Sequence, residues 1–391
     1  MTDSTQQRAD PEAGDAGYRG PAIDVFIGTK AQYIKTAPLM RLMQARGVPY
    51  RLIDSGQHAD LTIGLRKELG VKEPDVLLGS GESIETLASG IAWLIRYFAL
   101  ALFRPRQMAA RFFSPSPGYC VVHGDTSTTL LSLFMAKRAG KKVVHIEAGL
   151  RSFNLFRPFP EELIRIICMR YSDLLFAPSA WAHKNLMAMK AKGRARGQAI
   201  DLGQNTNVEA VAYALGRSEE KSPGQARPYC VITIHRLETI FRKARLLFVI
   251  DLLERISASR RILFVMHGPT RRVLERNGLL ARLEAIEGLE ILPLQSHADF
   301  LKILDGAEFA ITDGGSIQEE SHYLNTPCLI MRSETERMEG VGSNVCLAGF
   351  NADLIDGFLG DLDRYRCGLK TLNAEPSKII LDTLLTTPLA S

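Results

Sequence analysis

The sequence predicts an α/β protein built from two Rossmann-like, doubly wound parallel-sheet domains facing a central cleft. Three observations carry this reading. Short, β-branched, buried-looking strands alternate with helical periodicity along the chain, the signature of parallel βαβ units. At 391 residues the chain is long for a single core. Polar residues stand where the strands end, and open parallel sheets gather ligands at those carboxyl ends.

In the first domain, residues 21–205, the strand candidates are IDVFIG (23–28), VPYRLID (48–54), YCVVHGD (119–125), KKVVHIE (141–147), DLLFAPS (173–179) and AIDLG (199–203). Helical spacing through Met40 and Leu42 follows the first, and a helix across 130–139 follows the third. The second domain, residues 206–372, offers YCVITIH (229–235), RILFVMHG (261–268), LEILP (289–293), EFAITDGG (308–315) and PCLIMR (327–332). A C-terminal helix within 373–391 is expected to complete the first domain. Residues 1–20 are polar, lack the apolar segment of a signal peptide and read as a disordered tail.

Composition narrows the function classes. Hydrophobic residues at 46% and charged residues at 23% give an ordinary globular balance. A net charge of +5, dispersed along the chain, suits an anionic ligand and is too weak for nucleic acid. The six cysteines form no Cys-x-x-Cys pair and the histidines no metal spacing, so reduced thiols of a cytoplasmic protein are expected, with no metal. The stretch 87–103 is the most lipid-like, but it is slightly short and carries Arg96 in its middle. Residues 87–117 interleave arginines with aromatics; they read as a core and dimer helix, in preference to a peripheral membrane contact.

Chemistry concentrates in a few segments. TDGGSIQEES (312–321) joins a buried strand to a helix. Gly314 and Gly315 allow close approach of the backbone to a ligand, Ser316 is the expected N-cap, and the free amides favour an anion. Glu320, a turn further on, suits ribose hydroxyls. The alternative is a tight turn with solvated glutamates. Lys30, Lys35, Arg236 and Arg332 supply cations near strand ends, and His267 ends another strand. No Walker loop and no G-x-G-x-x-G opens the first helix, which disfavours ATP and nicotinamide enzymes. Asp125, Glu147, Glu161 and Glu162 form the acidic set. Asp125 has a capping role open to it, Glu162 an i,i+3 pair with Arg165, and Glu147 the weakest structural excuse. His235 is open to three roles, as acid, phosphate ligand or core residue; Arg236 beside it favours anion contact.

Taken together, GTKAQYIKTAPLM, SGQHADL, HGDTSTT, HIEAGLRS, PFPEE, SDLLFAPS, TIHRLE, HGPTRRVLE, TDGGSIQEES and LIMRSETERMEG resemble the UDP-N-acetylglucosamine 2-epimerase family over about residues 23–350. The resemblance implies a glycosyltransferase-B type fold, a homodimer, and elimination and re-addition of UDP with no cofactor or metal. It assigns acid–base roles to Asp125, Glu147 and Glu161, with His235 near the diphosphate. Lys35, Gly314, Gly315, Ser316, Glu320 and Arg332 match substrate-binding positions, with Lys30, Arg236 and His267 beside them. Gln57 and His58 match a loop that helps bind a second, activating substrate molecule. The chain departs from the family pattern at Lys30, Ala31 and Gln32, where G-T-R-P-E is usual, and at Gly314, where the family has serine. A hydrolysing 2-epimerase, a glycosyltransferase of the same fold and a non-catalytic UDP-sugar sensor are the competing functions.

Overall fold

The computed structural model describes residues 18–56, 59–79, 87–155, 159–216, 228–366, 368 and 370–389. The chain divides into two compact units. The first comprises the described residues up to Gly149, Leu163–Gly203 and those from Pro376 onward; the second comprises Leu150–Glu162 and Gln204–Glu375. The stretch 150–162 thus groups with the second unit, although the sequence places it in the first domain. Up to the helix that starts at Glu161, its described residues form no helix or strand, so no periodicity ties it to either side.

Among its described residues the first unit holds seven parallel strands: β1 (Ala22–Ile27), β2 (Arg51–Asp54), β3 (Val76–Leu77), β4 (Gly118–His123), β5 (Lys142–Ile146), β6 (Leu174–Ala177) and β7 (Gln198–Asp201). Their order is β3-β2-β1-β4-β5-β6-β7. β4 is buried along its whole length and β1 beyond its first residue, because helices cover both faces of a parallel sheet. Phe26, Val122, Leu131 and Phe112 join one core under the helix Ser127–Arg138.

The sheet order reverses between β1 and β4, and the loops leaving these two strands diverge there. The opposite end of the sheet is closed by a buried Asp24–Lys141 pair at 3.2 Å. The C-terminal helix Pro376–Thr386 belongs to this unit and is tied to it by Tyr119, whose hydroxyl donates to the Thr387 carbonyl at 2.9 Å.

The second unit holds β8 (Tyr229–Thr233), β9 (Arg261–Val265), β10 (Leu289–Leu292), β11 (Phe309–Thr312), β12 (Cys328–Ile330) and β13 (Val345–Leu347), all parallel, in the order β10-β9-β8-β11-β12-β13. Here the order reverses between β8 and β11. Two apolar clusters fill the unit, one around Ile232, Phe264 and Phe309, the other around Val231, Ala310 and Tyr323. Alternate residues of β8 and β11 thereby feed opposite faces of the sheet.

The helix Leu87–Phe103 buries Tyr97 and Ala101 and leaves Ile91, Ile95, Leu102 and Phe103 exposed, the last at 77%. Phe98 packs against Phe134 at 5.3 Å, and Arg138 donates to the Ala101 carbonyl at the helix C-terminus. Among the described residues no helix is long and apolar enough to cross a membrane. Cys120, Cys168, Cys230, Cys328 and Cys346 are free thiols; Cys367 lies outside the described residues.

Candidate functional site

In the first unit the site begins with a turn. Gly28 follows β1, and a Cβ there would fall 1.8 Å from Ser55 Oγ, so only glycine fits. Thr29 caps the helix Lys30–Ala45 and forms a capping box with Gln32. Gln32 does more than cap. Its Oε1 accepts the amides of Gly28 (2.9 Å) and Thr29 (3.1 Å). Its Nε2 lies within donor distance of the His123 carbonyl (2.8 Å) and the hydroxyls of Thr129 (3.0 Å) and Thr126 (3.1 Å). One buried amide therefore stitches the β1 loop to the β4 loop. A glutamate here could not donate to the His123 carbonyl, so the departure at this position brings a hydrogen bond with it.

Lys35 follows one turn later on the same helix, and its Nζ lies 2.9 Å from Glu147 Oε1, with both side chains about 95% buried (4% and 5% exposed). His123 Nε2 lies 3.4 Å from the other carboxylate oxygen. Glu147 ends β5 with φ at +67°, a left-handed conformation that costs a non-glycine residue about 1–3 kcal/mol. A buried ion pair adds a desolvation penalty that its own attraction barely repays. Both costs fall on one residue, which gives Glu147 the strongest functional signature in this unit.

Asp125 is released from capping, because Thr126 caps the next helix. Its carboxylate instead meets Arg165 at 2.5 Å. Glu162 is held by Arg151 at 2.5 Å and by the Ser152 amide at 3.0 Å. Glu161 opens its helix with one carboxylate oxygen buried and without a hydrogen-bond partner. His145 is buried with Nε2 at 2.8 Å from the Gly124 carbonyl; burial holds its pKa below the ordinary 6.5.

In the second unit the organising group is Asp313, fully buried at the end of β11. It accepts the backbone amides of His235 (3.0 Å) and Arg236 (3.0 Å), and so stitches the β8 loop to the β11 turn. Its Oδ1 lies 3.4 Å from His235 Nδ1. Burial lowers the His235 pKa, partly opposed by Asp313. The His235 ring stacks on His267 at 4.7 Å between centroids.

The helix that follows runs Gly315–Leu324, and its N-cap is Gly314, not Ser316. The turn is shorter than the serine suggests, and Ser316 stands inside the first helical turn. The glycines also have a tighter reason than ligand approach. A Cβ on Gly314 would sit 2.7 Å from His235 Cε1, and one on Gly315 would sit 3.1 Å from Arg337 Nε. The leading amides of this helix have no intrahelical acceptor, which suits an anion.

Arginines and acids interleave beside the turn. Glu336 lies 3.2 Å from Arg332 and 3.7 Å from Arg236, and Glu238 is 3.7 Å from Arg332. Arg337 pairs with the buried Glu319 at 3.2 Å. Glu320 is buried and lies 3.1 Å from His297 Nε2. Among the described residues no group of histidines, cysteines and acids could hold a metal ion.

Residues 40–363 match the family model described as UDP-N-acetylglucosamine 2-epimerase. The chain belongs to the UDP-N-acetylglucosamine 2-epimerase family. A UDP-N-acetylglucosamine 2-epimerase of Methanococcus maripaludis is 30% identical, over 85% of this chain and 89% of the relative. A UDP-2,3-diacetamido-2,3-dideoxy-D-glucuronate 2-epimerase of Pseudomonas aeruginosa is 27% identical, over 84% of this chain and 89% of the relative. The crystal structure of Methanocaldococcus jannaschii UDP-GlcNAc 2-epimerase in complex with UDP-GlcNAc and UDP is similar, with a TM-score of 0.78 at 26% identity, covering 93% of this chain and 99% of that one. The family and these relatives are UDP-sugar 2-epimerases, a class of isomerase.

Against that family, the structure places Lys35 on Glu147, and gathers His235, Arg236, His267, Gly314, Gly315, Ser316, Glu320 and Arg332 at the carboxyl end of the second sheet. Lys30 is half-buried at the first position of its helix. Gln57 and His58 lie outside the described residues. Sequence reasoning missed Gln32, Asp313, Glu336, Arg337 and His297 as organising groups. The Thr29-x-x-Gln32 spacing is a capping-box signal and could have exposed the first.

Two outcomes follow from this geometry. Gln32→Leu strands several buried polar groups and lowers unfolding stability by about 1–3 kcal/mol in urea titration; an unchanged midpoint would show that the amide is not a tie. The second concerns acid. A buried histidine with a lowered pKa stays neutral while the unfolded chain takes up its proton, so its contribution is lost as pH falls below 6.5. Wild-type stability measured against that of His145→Gln therefore declines between about pH 7 and 5, and a pH-independent difference between the two proteins rules this out.

Proposed function

We propose that this chain is a non-hydrolysing UDP-N-acetylglucosamine 2-epimerase, or acts on a close UDP-sugar, by eliminating and re-adding UDP. The observation that carries the proposal is Glu147, buried, strained and paired with Lys35 in a chain of this family. Removing the proton on carbon 2 of a sugar needs a carboxylate held in place, and Lys35 is the counter-charge that lets Glu147 stay buried. As that proton leaves, the bond from carbon 1 to the diphosphate oxygen breaks, giving an unsaturated sugar and UDP. Proton return on the opposite face and re-addition of UDP complete the inversion.

Asp125, held by Arg165, and Glu161, with its unpartnered oxygen, are the further acid–base groups. In the second unit, the amides behind Gly314, with Arg236, Arg332 and His235, receive the diphosphate, and Glu320 accepts the ribose hydroxyls. The Pseudomonas aeruginosa relative is named for a diacetamido uronate, which makes that sugar the second candidate. The hydrolysing, glycosyltransferase and sensor readings have no comparable support from the family.

The exposed row Ile91, Ile95, Leu102 and Phe103 supports a homodimer built on this helix, as the family resemblance implies. Free, mostly buried cysteines and a nucleotide-sugar substrate suit a cytoplasmic enzyme feeding polysaccharide assembly.

Incubation with UDP-N-acetylglucosamine in deuterium oxide, followed by NMR, tests the reaction. Deuterium enters carbon 2 while the sugar stays on UDP; free N-acetylmannosamine with UDP indicates hydrolysis instead, and no exchange with UDP bound sinks the epimerase reading. Glu147→Gln reduces exchange by at least about 100-fold and keeps UDP affinity. Circular dichroism of this variant is needed, because Lys35 then lacks its counter-charge. In sedimentation velocity the wild type runs at twice the chain mass and Ile95→Glu at the chain mass; a monomeric wild type at micromolar concentration refutes the dimer.

A further inference from the structure

His297 and Glu320 come from different helices, His297–Asp305 and Gly315–Leu324, and meet inside the second unit with 5% and 7% of their side chains exposed. Nε2 of the histidine lies 3.1 Å from Oε1 of the glutamate. A carboxylate oxygen can only accept, so the proton of this bond sits on Nε2. Nδ1 of the same ring is buried with no hydrogen-bond partner, which costs less for a bare lone pair than for a stranded N–H. The bond therefore runs from Nε2–H to the carboxylate.

The rest of the neighbourhood does not compete for Glu320. Glu319, the preceding carboxylate, is taken by Arg337 (3.2 Å), Tyr323 (3.0 Å) and Asn207 (3.4 Å). No other described residue hydrogen-bonds Glu320 Oε2. His297 is itself fixed at the first position of its helix, where Ser296 caps the Asp299 amide at 3.1 Å. One carboxylate oxygen is tied down by a rigid donor and the other is left to accept.

We infer that His297 is a positioning residue for nucleotide recognition: by holding Oε1 of Glu320 it presents Oε2 to the ribose hydroxyls. This rests on the ribose reading of Glu320. A carboxylate on a helix can rotate about its side-chain bonds, and each rotamer excluded before binding is an entropy cost that binding no longer carries. His297 acts on affinity for the ribose and not on the sugar chemistry.

Isothermal titration with UDP and with 2′,3′-dideoxy-UDP tests this, because the second ligand lacks the hydroxyls that Glu320 would receive. Wild type prefers UDP. In His297→Leu, UDP affinity falls about ten-fold while dideoxy-UDP affinity holds, so the preference collapses. His297→Gln, which returns an N–H near the Nε2 position, restores most of it. Equal losses for both ligands in the Leu variant, or an intact preference, overturn the inference. Glu320→Gln separates the two levels. A preference lost in that variant but kept in His297→Leu refutes only the positioning role. A preference that survives Glu320→Gln refutes the ribose reading as well.

Discussion

In each unit one buried side chain stitches together the two loops that leave the sheet at its reversal point. A parallel sheet gains its connections from crossovers, and where the strand order reverses, neighbouring loops run in opposite directions and leave a crevice. Nothing in the ladder itself holds that crevice to a fixed shape. Gln32 does so between β1 and β4. Asp313 does so between β8 and β11. The chemistry differs with the groups to be joined. Gln32 both accepts amides and donates to a carbonyl, which a carboxylate cannot do. Asp313 ties its two loops by accepting amides, and a carboxylate accepts them more strongly than a neutral group.

Around these ties, charge is buried in pairs. Lys35–Glu147 and Arg337–Glu319 are both removed from solvent. Such pairs contribute little net stability, since desolvation offsets attraction. What they contribute is geometry: each fixes a carboxylate that would otherwise swing among rotamers. The apolar clusters supply the stability, and the polar pairs draw on it to hold groups that chemistry can use.

Much of this architecture was legible in the residues. Eleven strands announce themselves as short apolar runs, and every one is found. The two that are not foreseen, Val76–Leu77 and Val345–Leu347, are edge strands of two and three residues, too short to show a pattern. The family was legible from motif order, and Glu147 stood out in the sequence for its lack of a structural excuse. Its positive φ was not, because backbone conformation at a non-glycine residue leaves no trace in composition. Ser316 misled as a cap because serine is usual there, while the turn closes two residues earlier at Gly314. His297 was invisible because its partner lies 23 positions away, beyond any helical spacing. Arg337 and Glu336 were visible only as a charged stretch; their work depends on Gly315, Arg332 and Arg236 being folded against them.

The close approach of His235 to Gly314 has a consequence for how this lineage could change. With 2.7 Å between the imidazole carbon and the place a Cβ would occupy, the two positions are not independent characters. A serine cannot be placed at 314 while the ring stays where it is; the ring must turn or be replaced. Substitutions here therefore have an order, and one of the two single-step routes passes through a strained intermediate. The side chain at 314 and the ring at 235 are thus coupled by one pair of atoms in van der Waals conflict, and a change at either is felt at the other.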